Sequence, residues 1–514
     1  MRNATSVFWY SLAICGLVVL WGGAAPEHLE GVTTNVTAFI STSFGWYYLL
    51  LIMLILGFCV YLIFSRFKKI KLGKEEDQPE FSLPAWFAML FSAGMGIGLV
   101  FWTTAEPVSH AFLSSPSGEE GTARAIRESL QYSFFHWGVH AWAVYAIVAL
   151  VLAYFKFHKG YPGLISATLV PIFGQERMEG KTGRWIDILA VFATVVGVAA
   201  TLGFGSAQIS EGLHFLFETP NNYGFQLIIL IIATVLFIIS AWSGISRGIK
   251  YLSNINMVLG ISLMILLLIV GPTLYILDMF TSSLGLYTTN FFNMSFELEP
   301  LNDESRSWLD SWTIFYWAWW ISWSPFVGIF IARISRGRTI QEFMLGVLFV
   351  PAVLCFFFFA VFGVSALNIE QQGIAAISDY PMETATFAML DQYPLGLLMS
   401  LITIVVIAIF FITSADSATF VLGMLSTGGS INPSGIVKIV WGLCLSAMAA
   451  IIVYFGGTDG LQNVLIIAAL PFSVVILLMG YSFYRAAKAE VRAEIKKESW
   501  RTRRKSAKEA ARAE

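Results

Sequence analysis

Tryptophan is concentrated in one apolar stretch of the chain. Trp317, Trp319, Trp320 and Trp323 fall within seven residues, and Pro325 follows them. Tryptophans that anchor a protein at a membrane surface occur singly or in pairs at helix ends. A dense cluster beside a proline therefore predicts the wall of a binding site. On a helix, Trp319 and Trp323 share a face and Trp320 lies next to it.

A second aromatic stretch contains Trp137, Trp142 and Tyr145. Aromatic walls from two helices would form a box. The ligand that suits such a box is a quaternary ammonium group, which donates no hydrogen bonds and is held by ring quadrupoles. Ordinary aromatic packing between helices is the alternative.

Metal chemistry has weaker support. His136 and His140 have the spacing of a helical metal pair, but no glutamate stands between them and no third ligand is evident. We therefore predict that both histidines are hydrogen-bonded near the site. The cysteines are scattered singly without metal-ligand spacing, which indicates buried free thiols. They are Cys15, Cys59, Cys355 and Cys444.

Glycine occupies alternate positions from Gly94 to Gly98 in another apolar stretch. Each glycine weakens a helix by up to about 1 kcal/mol relative to alanine. An opened helix also turns backbone carbonyls towards a ligand. Close helix packing through small residues is the alternative interpretation.

Adjacent hydroxyls at Thr413 and Ser414 end a further apolar stretch. Such hydroxyls either bond back to their own helix or supply oxygen ligands to a small hard cation such as sodium. Asp416 follows them and is a candidate because carboxylates at membrane depth are often functional. We expect Asp416 to be structural rather than ion-binding.

These motifs lie in a chain whose composition suits a membrane. It has 514 residues, of which 57% are hydrophobic and 12% charged, about half the charged fraction of a soluble protein. Segments of about 20 apolar residues cross a bilayer as helices, because backbone groups in lipid must be paired within the segment. We predict about twelve such segments, at residues 7–22, 46–64, 83–103, 133–154, 185–205, 225–240, 255–276, 312–331, 343–367, 395–413, 437–455 and 464–484.

Positive charge alternates between the connections. Arg and Lys occur after the second, sixth and eighth segments and in the tail, whereas residues 24–45 and 368–394 contain none. The positive-inside rule then predicts that both termini are cytoplasmic. The tail mixes Lys and Arg with Glu and Ala, which predicts a solvated helix. A sensor of anionic lipid and ionic strength is the second interpretation of the tail.

Three of the motifs resemble the betaine/choline/carnitine transporter family. They are the Gly94–Gly98 phrase, the run from Trp317 to Arg338 and the run from Phe411 to Ser417. The similarity extends over nearly the whole chain and is greatest to the sodium-coupled glycine betaine transporters of Bacillus-type bacteria. It implies an all-α integral membrane protein of about twelve transmembrane helices, in which the third and eighth segments are equivalent broken helices.

The resemblance also implies how the chain is divided. Two leading helices precede two inverted five-helix repeats, as in the amino-acid/sodium symporter fold. The parts are the leading helices (1–64), a cytoplasmic loop (65–82), the first repeat (83–279), an extracellular linker (280–311), the second repeat (312–484) and a basic cytoplasmic tail (485–514).

Residue roles follow from the same resemblance. The ammonium cage would comprise Trp137, Trp142, Tyr145 and Trp320. Phe315, Trp319 and Trp323 would lie along the path, with Met95 and Gly98 also at the substrate. One sodium site would use backbone oxygens near Ser92, Met95 and Phe410 and the hydroxyls of Thr413 and Ser414. A second would use Thr194 and Phe326. However, Val198 stands where the family has another threonine, and Thr201 is the nearby substitute.

The implied function is uptake of the osmoprotectant glycine betaine with sodium, by alternating access, across a bacterial plasma membrane. Choline-preferring members carry aspartate where this chain has Gly98, and residues 186–208 lack the cation of sodium-independent carnitine antiporters. Carriers of carnitine, choline or a sulfonium analogue, and a non-transporting osmosensor, remain alternatives. We expect no enzyme activity, no organic cofactor and no nucleic-acid partner. Trimers are common in the family.

Overall fold

The computed structural model describes residues 4–94, 96–243 and 246–513. That part of the chain is helical with short connections, and one isolated antiparallel bridge joins Lys71 to Thr339. The helices are α1 (Ser6–Ala24), α2 (Pro26–Phe64), α3 (Leu83–Gly94), α4 (Ile97–Val108), α5 (Ala123–Trp137), α6 (Val139–Ala153), α7 (Val170–Phe173), α8 (Gln175–Glu179), α9 (Lys181–Phe217), α10 (Tyr223–Ser243), α11 (Ser246–Val270), α12 (Thr273–Thr289), α13 (Phe291–Phe296), α14 (Asp303–Ser311), α15 (Thr313–Ile334), α16 (Ile340–Gln371), α17 (Ala385–Asp391), α18 (Gly396–Ser426) and α19 (Gly435–Ala513).

The third predicted segment is divided into two short helices. Within the described residues, eleven helices are long and apolar enough to cross a membrane, against about twelve predicted. α3 and α4 have 12 residues each. A helix of that length rises about 18 Å and cannot cross a hydrocarbon layer of about 30 Å alone. Gly96 between them has φ −139° and ψ −147°, outside the helical region. The predicted break at the glycine phrase is confirmed, although Met95 itself lies outside the described residues.

The eighth segment, in contrast, is not broken, and that prediction is wrong. α15 runs without interruption through Pro325. Proline has no N–H for the carbonyl four residues earlier, which here belongs to Ile321. The Ser324 hydroxyl donates to that carbonyl at 2.7 Å. A neighbouring side chain therefore replaces the missing backbone donor, and the helix continues.

An unpredicted break divides the fourth segment at Gly138. This residue, between α5 and α6, has an extended backbone with φ −87° and ψ −151°. A Cβ at this position would lie 2.4 Å from the Phe134 carbonyl oxygen, so only glycine fits. The break separates Trp137 from Trp142 and Tyr145, and it interrupts the regular helical bonds near the His136 carbonyl.

The helices that carry the aromatic stretches are the innermost ones. In the span formed by α5 and α6 and in the span formed by α14 and α15, 94% of the most apolar window is buried, and in α9 the share is 89%. The share falls to 28% in α1 and α10 and to 17% in α11. The outer helices thus present apolar surface to lipid. The all-α membrane fold is confirmed, while the inverted repeats stay a prediction.

Several boundaries differ from those predicted. α2 begins at Pro26, twenty residues before the predicted segment. α19 combines the last two segments and changes direction at Gly457, where φ is 50°. It then continues to Ala513, so the predicted helical tail is confirmed. In this tail, Glu490 accepts hydrogen bonds from Tyr154 and Lys159 at 2.7 and 2.5 Å.

The chain between α2 and α3 pairs with the loop after α15. Leu72 N donates to the Arg338 carbonyl at 2.8 Å. Two nitrogens of Arg336 contact the two carboxylate oxygens of Asp77 at 3.0 Å. The Arg338 guanidinium carbon lies 4.1 Å from the ring centroid of Trp86. The start of the broken third segment is therefore fixed to the end of α15.

Candidate functional site

The two aromatic stretches meet inside the molecule. The Trp320 ring centroid lies 5.4 Å from Trp137, 6.1 Å from Trp142 and 4.9 Å from Tyr145. Trp319 lies 5.9 Å from Trp137. All five side chains are buried. The structure thus brings rings from α5, α6 and α15 together, as expected of facing aromatic walls, while their function as an ammonium cage stays a prediction.

Backbone carbonyls hold two of the indoles in place. Trp320 Nε1 donates to the His136 carbonyl at 3.1 Å, beside the break at Gly138. Trp323 Nε1 donates to the Gly197 carbonyl of α9 at 2.8 Å. Because the polar edge of each ring is satisfied by the backbone, its apolar face is free to contact a ligand.

A small cavity lies between the rings. Its volume is about 20 Å³, which is room for one water molecule. A trimethylammonium group would require the rings to move apart. The residues that line the cavity come from five helices and the break after α3. They are Gly96, Gly98, Leu99, Trp137, Tyr145, Thr201, Trp319, Trp320 and Trp323.

Gly98 leaves no space for a larger side chain on this wall. A Cβ built there would lie 2.5 Å from Trp319 Cη2 and 3.5 Å from Trp137 Cη2. The first distance is shorter than any van der Waals contact between carbon atoms. Gly98 therefore lets the backbone of α4 approach the rings directly.

Two of the predicted residues lie behind the cavity wall rather than on it. Trp142 packs against Tyr145 with centroids 5.6 Å apart and rings nearly perpendicular. Phe315 stacks on Trp319 at 5.7 Å and contacts Trp102 at 5.8 Å. Both support wall residues, and neither lines the cavity in this conformation.

One hydroxyl of the predicted pair, that of Ser414, lies beside the break in the third segment. Ser414 Oγ lies 3.7 Å from the position of a Cβ built on Gly96. Thr413 Oγ1 contacts the Ile409 and Phe410 carbonyl oxygens at 2.9 and 3.3 Å. A hydroxyl that donates its proton to a carbonyl keeps its lone pairs for another partner. Thr413 thus bonds back to its helix and keeps oxygen lone pairs free, while the Ser414 hydroxyl lies beside Gly96.

The remaining predicted ligands of this first sodium site are only partly described. Phe410 is on α18 one turn before Ser414, and its carbonyl accepts from Thr413. Ser92 is in α3, close to its end at Gly94. Met95 lies outside the described residues.

The residues of the second predicted sodium site do not form a complete set. Thr194 Oγ1 donates to the Ala190 carbonyl at 2.7 Å, and Val198 is a buried apolar residue one turn later. Thr201 is seven residues from Thr194 on the continuous helix α9, a rise of about 10 Å. Two ligands of one small cation lie no more than about 5 Å apart. Thr201 therefore does not replace the missing hydroxyl at Val198.

Phe326 and Thr201 lie close to the rings instead. The ring centroid of Phe326 is 5.6 Å from that of Trp323. Thr201 lines the ring cavity, and its hydroxyl is 3.3 Å from the Gly197 carbonyl oxygen. Thr201 therefore belongs to the wall of the ring cavity.

A fully buried carboxylate that the sequence reasoning missed lies beside the ring cavity. Glu106 Oε2 accepts from Trp137 Nε1 at 2.9 Å and from the Tyr316 hydroxyl at 2.5 Å. Glu106 Oε1 is 2.7 Å from His136 Nδ1 and 3.3 Å from His110 Nε2. The predicted third segment ended at residue 103, so Glu106 fell in a loop. α4 and a π-helical turn in fact continue to Leu113. A lone acid in an apolar run was the available signal.

Both predicted histidines are hydrogen-bonded, as expected. His136 Nε2 pairs with Thr313 Oγ1 at 3.0 Å and His140 Nε2 with Ser295 Oγ at 2.9 Å. Glu106, His110 and His136 nevertheless place potential metal-ligand atoms within 4.8 Å of one another. Both Glu106 oxygens already accept hydrogen bonds from protein donors, so a metal ion would have to displace those donors.

Asp416 joins two helices. Its Oδ2 accepts from the Ser240 hydroxyl of α10 at 2.9 Å, and its carbonyl accepts from the Thr419 hydroxyl at 2.8 Å. The side chain is buried. These contacts agree with the expected structural role.

Comparison with known proteins identifies the family. The chain matches the BCCT family, the betaine/carnitine/choline family transporters, over residues 6–492. It is 57% identical to the glycine betaine transporter OpuD of Bacillus subtilis (strain 168), over 97% of each chain. It is 42% identical to a probable glycine betaine transporter of Desulfitobacterium hafniense (strain Y51), over 95% of this chain and 98% of the relative. It is also 42% identical to an ectoine/hydroxyectoine transporter of Virgibacillus pantothenticus, over 96% and 98%. The protein is therefore a multi-pass membrane transporter, not an enzyme, and it belongs to the BCCT family.

Proposed function

We propose that this protein takes up glycine betaine together with sodium by alternating access. The observation that carries the proposal is the convergence of Trp137, Trp142 and Tyr145 on Trp320. A desolvated ring face contributes about 2 kcal/mol or more to the binding of a quaternary ammonium group. The identity to a glycine betaine transporter supports this ligand.

Gly98 favours a zwitterionic substrate over one that carries only a positive charge. Betaine carries its own carboxylate, so a second acid directly on the cavity wall would repel it. Gly98 presents only backbone there, and the contact of its position with Trp319 leaves no space for an acidic side chain.

Sodium is proposed to bind between the broken third segment and α18. Ser414 lies beside Gly96, and Thr413 retains oxygen lone pairs. A cation there would hold the two halves of the broken segment in the arrangement that shapes the cavity. Transporters with discontinuous helices combine such hydroxyls with freed backbone carbonyls.

Alternating access requires the ring cavity to open towards each side in turn. At the N-terminal part of α15, Trp102 packs against Trp312 and Tyr316 at 5.7 and 5.9 Å. Towards its C-terminal part, a cavity of about 520 Å³ lies between α6, α15 and α18. Lys156, Arg333 and Arg336 line it together with Glu80, which pairs with Arg333 at 2.9 Å. The excess of positive charge would attract the betaine carboxylate as it leaves. We assign this side to the cytoplasm, in agreement with the positive-inside rule.

The test is uptake of labelled betaine into proteoliposomes, with and without a sodium gradient. Carnitine, choline, a dimethylsulfonio compound and ectoine are added as competitors. We expect sodium-dependent uptake, with unlabelled betaine competing at the lowest concentration. Betaine uptake without sodium would contradict the coupling, and a stronger competitor would identify a different substrate. Binding without any uptake would favour the osmosensor alternative.

A further inference from the structure

The buried carboxylate of Glu106 is hydrogen-bonded to a ring of the proposed cage, a contact that packing alone does not require. It lies behind a ring of the proposed cage, and its relative exposure is 0%. Burying a carboxylate is costly unless hydrogen bonds compensate it. Here three side chains form hydrogen bonds with the two oxygens, and one of them is the indole N–H of Trp137. His110 Nε2 lies 3.3 Å from Oε1.

The donors indicate that the carboxylate is ionised. An indole nitrogen can only donate, so Glu106 Oε2 accepts from Trp137. The Tyr316 hydroxyl donates to the same oxygen, so both lone pairs of Oε2 are occupied and this oxygen carries no proton. His136 Nδ1 and Thr313 Oγ1 form a further link in the chain, at 2.7 and 3.0 Å.

An anion that accepts a hydrogen bond from an indole N–H changes the charge distribution of the whole ring. A charge-assisted hydrogen bond polarises its donor. The ring of Trp137 then carries more negative charge above and below its plane, and Trp137 lines the cavity with Trp319 and Trp320. The quadrupole that attracts a cation is strengthened.

We propose that Glu106 is a positioning residue that fixes Trp137 and makes the cage selective for a positively charged headgroup. The inference rests on the proposed function and deepens it, because Glu106 acts through Trp137 without touching the substrate. A neutral headgroup of the same shape gains nothing from the polarised ring. The effect of the carboxylate is therefore expected in the preference between charged and neutral ligands rather than in binding generally.

The experiment uses two ligands of nearly equal shape. Betaine has a trimethylammonium group, and 3,3-dimethylbutanoate has a neutral tert-butyl group in its place. Inhibition constants of both are measured against labelled betaine uptake, and tryptophan fluorescence measures binding to the purified full-length protein. In Glu106→Gln, we expect the preference for betaine over the neutral ligand to fall by about tenfold or more.

Asp187→Asn is the matched control. Asp187 is a buried carboxylate on α9 that accepts from Ser166 N and Oγ at 2.9 and 2.7 Å. It has no contact with the cage rings among the described residues, so the preference should stay at the wild-type value. An equal weakening of both ligands in Glu106→Gln, or an unchanged preference, would overturn the inference. Wild-type protein that does not bind betaine would instead refute the proposed function.

If Glu106→Gln does not insert into the membrane, two further variants test the contact between Glu106 and Trp137. Trp137→Phe keeps a ring but removes the N–H that reaches Glu106. Trp319→Phe removes an N–H from a neighbouring wall ring. We expect the preference for betaine to fall more in Trp137→Phe than in Trp319→Phe. Equal falls would show that the contact with Glu106 carries no selectivity.

Discussion

Trp320 contacts the three other rings of the proposed cage, those of Trp137, Trp142 and Tyr145. Trp320→Leu removes the ring face and keeps an apolar side chain. We expect betaine binding to weaken by about 2 kcal/mol or more, roughly thirtyfold, and uptake to be lost at low betaine concentration. Labelled uptake and fluorescence titration in proteoliposomes measure the two effects.

A substitution on the outer surface serves as the control for Trp320. Trp185 is 59% exposed at the start of α9, so Trp185→Leu should insert and transport like the wild type. Equal amounts of both variants in the membrane show that insertion is unaffected. Betaine uptake retained by Trp320→Leu would contradict the cage.

At the level of single residues, sequence reasoning found the rings but not the groups that hold them. The density of tryptophan pointed to Trp319, Trp320 and Trp323, because residue type alone carries that signal. Glu106 was missed because its partners His136 and Tyr316 are 30 and 210 positions away in the chain. Such contacts depend on tertiary packing, which one sequence does not display.

Among the elements, α15 continues through Pro325 because the Ser324 hydroxyl replaces the backbone N–H that proline lacks. Ser324→Ala leaves the Ile321 carbonyl without that donor, at a cost of about 1–3 kcal/mol in folding free energy. We expect a lower thermal midpoint of the purified protein in detergent. The double variant with Ser324→Ala and Pro325→Ala restores a backbone N–H and should regain most of the loss. A double variant less stable than the single one would contradict this explanation.

The predicted and observed helix breaks show which kind of break can be predicted from a sequence. The third segment contains three alternating glycines, and the helix does open there. Pro325 suggested a second break, but the hydroxyl of Ser324 compensates for it. A second helix breaks at Gly138, which has no neighbouring glycine. The Phe134 carbonyl leaves no space for a Cβ in that conformation, so only glycine fits. Breaks set by several local residues were predictable, whereas those decided by one contact were not.

The proposed sodium site lies between two elements, the opened third segment and α18. Replacing Thr413 and Ser414 together with alanine removes both hydroxyls. We expect the sodium concentration for half-maximal uptake to rise about tenfold or more, since loss of even an outer-shell partner costs a metal site that much. The measurement is betaine uptake as a function of sodium concentration.

Thr403→Ala is the control for the sodium site on the same helix. Its hydroxyl bonds back to the Met399 carbonyl at 2.9 Å, as that of Thr413 does to Ile409. Thr403 lies ten residues earlier, away from Gly96. Its loss should leave the sodium requirement unchanged. If both variants shift that requirement equally, the hydroxyl pair has no special relation to sodium.

For the whole molecule, the proposed sodium coupling implies that the number of sodium ions decides how strongly the membrane potential drives uptake. Betaine has no net charge, so each sodium ion carries one charge across. A potential of about 100 mV, negative inside, contributes about 2.3 kcal/mol per charge, or roughly a 50-fold change in accumulation. Val198 interrupts the second predicted site, and Thr201 lies too far along α9 to complete it with Thr194. We therefore expect one sodium ion for each betaine and about a 50-fold change in betaine accumulation per 100 mV.

Proteoliposomes with a potassium diffusion potential and valinomycin measure accumulation at several potentials, with equal potassium on both sides as the control. A response near the square of that factor would require a second sodium ion, and no response would exclude charge movement with betaine.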